Sequence, residues 1–79
     1  MLIKLTTHAL FRLQERGFSV DNVRSVIKNC RKIQKLEEDL FKVVGKVGDK
    51  GTLTVIYKKP ILKTKKDYYL IITAYFTNN

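Results

Sequence analysis

Asp67-Tyr68-Tyr69-Leu70-Ile71-Ile72-Thr73-Ala74-Tyr75-Phe76 is the stretch that decides the fold. It is rich in aromatic and β-branched side chains and contains no glycine or proline, which is the composition of a strand. Alternation puts Tyr68, Leu70, Ile72, Ala74 and Phe76 on one face, which is expected to form the core. Tyr69, Ile71, Thr73 and Tyr75 fall on the other, too aromatic and too hydroxylated for plain solvent surface. Working back, residues 59–67 read as a loop, and Pro60 ends the strand before it because proline cannot donate to a ladder. That strand is Thr52-Leu53-Thr54-Val55-Ile56-Tyr57-Lys58. Gly48-Asp49-Lys50-Gly51 is a turn signal between two strands. Upstream of it Phe41, Val43 and Val47 alternate with Lys42 and Lys46, while Val44 breaks the pattern and Gly45 allows a bulge. Ile33 and Leu36 either start a ragged strand or close the element before it.

Further toward the N-terminus the period changes to that of a helix. Ser19 is an N-cap, and Val20, Val23, Val26, Ile27 and Cys30 recur on one side of the helix it opens. Asp21 in the first turn and Lys28, Arg31 and Lys32 toward the end suit the helix dipole. A first helix is expected over His8–Arg16, with Thr6 or Thr7 as its N-cap and Gly17 as its left-handed terminator. Ala9, Leu10 and Leu13 form its apolar arc, and Phe11 points away from that arc. Residues 2–5 make a short strand. A short N-terminal strand, two helices and then three or four tightly connected strands define an α+β domain. Its helices should cover one face of an antiparallel sheet. One domain over residues 1–79 is expected, since no repeat or linker is visible.

Composition bounds the function. The chain has 79 residues, 44% hydrophobic and 29% charged, a globular balance with room for one modest core. No apolar run approaches the roughly 20 residues of a membrane span. The start, Met1-Leu2-Ile3-Lys4-Leu5, is too soon interrupted for a secretory signal, so a cytoplasmic address and no membrane partner are expected. The single cysteine, Cys30, forms no internal disulfide and reads as a small buried hydrophobe. One His and one Cys argue against a protein-made zinc site, and Glu37-Glu38-Asp39 reads as a solvated corner. Neither a metal nor a cofactor is expected. Sixteen basic against seven acidic residues give a net charge of +9, which points to an anionic partner, nucleic acid or an acidic protein. A merely soluble, lysine-rich surface is the plain alternative.

Three groups of residues carry candidate chemistry. His8, Arg12 and Arg16 lie four residues apart and fall within an arc of about 80° on one helix face. Histidine exchanges protons near neutral pH, and arginine grips phosphate in a planar fork. Cleavage of RNA by its own 2′-hydroxyl needs a base, an acid for the departing 5′-oxygen, and cations for the charged transition state. The rise of the helix puts His8 about 6 Å from Arg12 along the axis but about 12 Å from Arg16. His8 and Arg12 can share one phosphate, and Arg16 can hold its neighbour. The alternative is that His8 helps cap the helix while the arginines pair with Glu15 or Asp67. The second group is the lysine loop, with Lys58, Lys59, Lys63, Lys65 and Lys66 in nine residues. It suits a phosphate backbone, or else protects a hairpin tip from edge aggregation. The third is Tyr57, Tyr69, Thr73 and Tyr75, whose rings can stack on unpaired bases or simply stabilise the sheet. Tyr57 is the one expected to turn toward the core.

The segment Thr7-His8-Ala9-x3-Arg12-x3-Arg16-Gly17-Phe18-Ser19, with the closing Leu70-Ile71-Ile72-Thr73-Ala74-Tyr75, resembles a family of small bacterial and archaeal proteins. That family is catalogued as a domain of unknown function and is grouped with RelE- and BrnT-like toxins of the barnase–colicin–RelE ribonuclease set. The resemblance implies a RelE-like fold and a metal-independent ribonuclease of a toxin–antitoxin pair. His8, Arg12 and Arg16 match its helix motif, and Thr73 and Tyr75 its closing strand. On that basis His8, Arg12, Arg16 and Tyr75 are the expected catalytic residues. Lys58, Lys59, Lys63, Lys65, Lys66, Tyr69 and Thr73 are expected to bind RNA, with the ribosome as one setting for it. An acidic antitoxin is the expected protein partner, with Phe11 as an apolar handle. The rival expectation is a non-catalytic nucleic-acid- or partner-binding module on the same scaffold. Oligomeric state is left open.

Overall fold

The computed structural model describes residues 2–30, 32–48, 51–59 and 68–77. The chain runs β1 (Leu2–Leu5), α1 (Thr7–Glu15), α2 (Val20–Asn29), β2 (Ile33–Lys35), β3 (Leu40–Val47), β4 (Gly51–Lys58) and β5 (Tyr68–Thr77). The strands form a single sheet in the order β1-β5-β4-β3-β2. β2 to β5 are antiparallel neighbours, as their connections require, whereas β1 joins β5 in parallel as a fifth strand. The fold is α+β, as the element order implied.

Both helices begin where their caps direct. The Thr6 hydroxyl accepts from the Ala9 amide at 3.1 Å, and Ser19 and Asn22 close a reciprocal capping box. Gly17, at φ 75°, ends α1. Ala9 and Leu13 of α1 and Val23, Val26 and Ile27 of α2 are buried in one core with Val43, Leu53, Val55, Tyr57, Ile71 and Ala74. Leu10, expected in the apolar arc, is instead 41% exposed, and Phe11 is 62% exposed, as its position implied. Cys30 is half-buried at the end of α2, its thiol donating to the Ile27 carbonyl at 3.2 Å.

The irregularity in the sheet falls elsewhere than expected. β3 pairs with β4 without interruption, so Gly45 makes no bulge. A Cβ there would stand 3.2 Å from Val26 Cγ1, so Gly45 lets α2 approach the sheet closely. The bulge lies instead in β5, where Ile56 pairs with Thr73 but Tyr57 pairs with Ile71, leaving Ile72 as the extra residue. One inserted residue inverts the alternation. Ala74 and Phe76 face the helices as expected. On the other side of the bulge, however, it is Ile71 and Tyr69 that face the core, and not Tyr68, Leu70 and Ile72. Phe76 meets Phe18 at 5.3 Å, and Tyr57 sits between Phe41 at 5.5 Å and Tyr69 at 5.2 Å.

Candidate functional site

β1 pairs with only the first four residues of β5, Tyr68 to Ile71. Thr6 closes this pairing. Its amide donates to the Ile71 carbonyl at 3.2 Å, and its hydroxyl donates to the carbonyls of Ile71 at 3.1 Å and Ile72 at 3.0 Å. The same hydroxyl caps α1, so one side chain fixes the helix start against the bulge. From there α1 runs beside the second half of β5 and presents His8, Arg12 and Arg16 to it. These three residues and Thr73 to Phe76 line a cleft of about 250 Å³.

All three α1 side chains in the cleft are exposed. Arg12 stands 3.8 Å from Glu15, with both side chains about half exposed, a separation that leaves the guanidinium available to an anion. His8 and Arg16 make no side-chain hydrogen bond or ion pair among the described residues, and His8 does not cap the helix, because Thr6 does. Asp67, the other acid considered for the arginines, lies outside the described residues. Tyr75 is 46% exposed and Thr73 half-buried. Both stand on the sheet face opposite the helices, at the rim where the cleft opens. The His8–Arg12–Arg16 arc and the closing strand are therefore brought together, although 57 or more residues separate them in sequence.

Other expected binding residues lie elsewhere. Tyr69 is turned inward by the bulge, packs edge-on against Tyr57, and carries the Lys59 ammonium 5.3 Å above its ring. It does not share a face with Thr73 and Tyr75. Lys58 pairs with Asp39 at 3.8 Å. Its register partner is Leu70, five residues along β5 from Tyr75, or about 16 Å at strand spacing. Lys58 and Lys59 thus stand at the far end of the sheet from the cleft. Lys63, Lys65 and Lys66 lie outside the described residues. Glu38 and Asp39 of the acidic corner face Lys35 at 3.9 Å and Lys58.

Two cations closer to the cleft carry no functional signal in the sequence. Lys42 is opposite Ile56, which is opposite Thr73, and Lys46 is opposite Thr52, which is opposite Thr77. Each is two strands away, about 10 Å across the open face. Their alternation with Phe41, Val43 and Val47 reads as ordinary solvent exposure until strand order is known. Between them Val44 is 47% exposed while Thr54, flanked by Val44 and Tyr75, is buried. Among the described residues no helix covers this face of the sheet, which carries lysines along one side and Tyr75 along the other.

Two helices on one face of a mixed five-stranded sheet, with a basic helix arc opening beside the last strand, define the class of domain. The chain matches the family model described as a domain of unknown function, DUF4258, over residues 5–76, and belongs to that family. No curated protein and no solved structure matched the chain. No helix among the described residues is long and apolar enough to cross a membrane.

Proposed function

We propose that this domain is a toxin-like, metal-independent endoribonuclease of a toxin–antitoxin pair, related to RelE- and BrnT-like proteins and acting in the cytoplasm. The observation that carries this reading is the cleft in which His8, Arg12 and Arg16 of α1 meet Thr73 and Tyr75 of β5. A base, two guanidinium groups and a phenol around one opening are the groups that transesterification of RNA requires. The 2′-oxygen attacks phosphorus and the bond to the 5′-oxygen breaks. One proton leaves the 2′-hydroxyl and one reaches the departing 5′-oxygen, with His8 serving as the base or the acid and solvent water as its counterpart. Arg12 offsets the charge that builds on the phosphoryl oxygens, and Arg16 holds the adjacent phosphate. Tyr75 donates to phosphate or stacks on a flanking base, Thr73 positions the chain, and Lys42 and Lys46 extend the electrostatic track across the open face.

The test is digestion of single-stranded RNA in chelator. Wild type should cleave, while His8→Ala should lose about 10² to 10⁴ in rate with RNA affinity retained within a few-fold. Arg12→Ala should weaken both. Wild-type protein that neither cleaves RNA nor slows growth on expression defeats the enzyme reading. A second reading, a non-catalytic RNA- or partner-binding module, is favoured by the exposure of all three α1 side chains. It predicts that His8→Ala changes nothing while Arg12→Ala still weakens binding.

A further inference from the structure

Among the described residues, Thr73 to Thr77 of β5 have a strand neighbour on one side only. β4 pairs with them on the inner side. On the outer side β1 has already ended opposite Ile71, and no other strand takes its place among the described residues. In an antiparallel pair, alternate residues aim both backbone N–H and C=O away from their neighbour. This stretch therefore offers a row of alternating donors and acceptors along the side that β1 vacates. α1 runs beside the gap and lines it with His8, Arg12 and Arg16.

We propose that this open edge is a docking slot for an extended acidic segment of a partner protein. The segment adds to the sheet as a further strand beside Thr73–Thr77, with its carboxylates against Arg12 and Arg16. Three considerations select this occupant. An edge of alternating donors and acceptors is matched by another peptide backbone, whereas a phosphate backbone only accepts and would meet the outward carbonyls with like charge. A second copy of this chain paired edge to edge would bring Arg12 and Arg16 against their own counterparts, on a molecule already at +9. Acidic side chains instead pair with the exposed guanidinium groups at the rim of the slot. A strand seated there also covers His8 and Tyr75. Docking therefore blocks the cleft, which gives the partner's charge and conformation a definite role beside the ribonuclease reading without depending on it.

The probe is a short capped peptide alternating glutamate and valine, compared with its backbone N-methylated form and with a lysine–valine counterpart. Binding is read by amide hydrogen exchange and fluorescence anisotropy on the full chain. The glutamate peptide should slow alternate amides within Thr73–Thr77 by about tenfold or more. N-methylation should weaken binding at least about tenfold, because it removes the donors that the ladder needs. The charge-reversed protein carrying Arg12→Glu and Arg16→Glu, checked for folding by circular dichroism, should prefer the lysine peptide. Equal binding of the N-methylated peptide, protection confined to other strands, or unchanged peptide preference in the reversed protein overturns the proposal. So does protection of these amides by a single-stranded oligonucleotide but not by the peptide. RNA cleavage is scored separately on the same preparation, so failure of one reading leaves the other measurable.

Discussion

Gly51 opens β4 at φ 131°, a backbone conformation that L side chains rarely adopt, and the space beside it is already filled. A Cβ there would stand 2.7 Å from Phe76 Cε2 and 2.8 Å from the Thr77 carbonyl oxygen. Gly51→Ala combines backbone strain with overpacking and should cost about 2–4 kcal/mol. That corresponds to a fall of roughly 10 °C or more in Tm by calorimetry. Tyr57 makes a second prediction at this scale. Its burial, with Tyr69 and Cys30 adding to the effect, pushes the phenol above its ordinary pKa of about 10. The folded chain then holds a proton that the unfolded chain has released. The stability this contributes is full below about pH 10 and is lost as pH rises beyond it. Urea titrations should show Tyr57→Phe losing less stability than wild type between about pH 9 and pH 11.

Among the elements, the junction of β1 with α1 governs the cleft. Thr6 caps the helix and ties it to the Ile71 and Ile72 carbonyls, so the side chain that starts α1 also sets where α1 lies along β5. Thr6→Val keeps the shape and removes these bonds. It should cost about 1–3 kcal/mol in chemical denaturation. Under the ribonuclease reading it should also slow RNA cleavage, since His8 lies two residues on. The helices were legible because cap and period are local: Ser19 with Asn22, Thr6, and Gly17 all act within a few residues of themselves. The faces of β5 were legible only over Ala74 and Phe76. The bulge at Ile72 comes from register against β4 and from carbonyls that receive Thr6, and nothing in Leu70-Ile71-Ile72-Thr73 marks which isoleucine is extra. The parallel seat of β1 was likewise out of reach, since its partner stands at the other end of the chain.

Across the whole molecule, the excess of cations matters through where the sheet places them. His8, Arg12 and Arg16 could be grouped from spacing, and Thr73 and Tyr75 from the closing strand, because each set obeys one short period. Lys42 and Lys46 could not be joined to them, because only the order β5-β4-β3 puts them on the same open face. If RNA crosses that face, Lys42→Glu with Lys46→Glu should weaken RNA binding more than Lys58→Glu with Lys59→Glu. For each phosphate that is no longer engaged, the salt slope of log affinity should fall by about 1, as filter binding across a salt series would show. The sheet order has one further consequence. β5 comes after the other described strands in the chain, yet it lies between β1 and β4 and supplies one wall of the cleft. During translation, α1 therefore lacks the strand it packs against most until Tyr68–Thr77 has emerged, and β1 has no strand partner. A message broken upstream of Tyr68 encodes a polypeptide with His8, Arg12 and Arg16 in place but without the strand that forms the other wall of their cleft. Such a fragment would be inert, and a cell making it would be spared whatever the finished domain does.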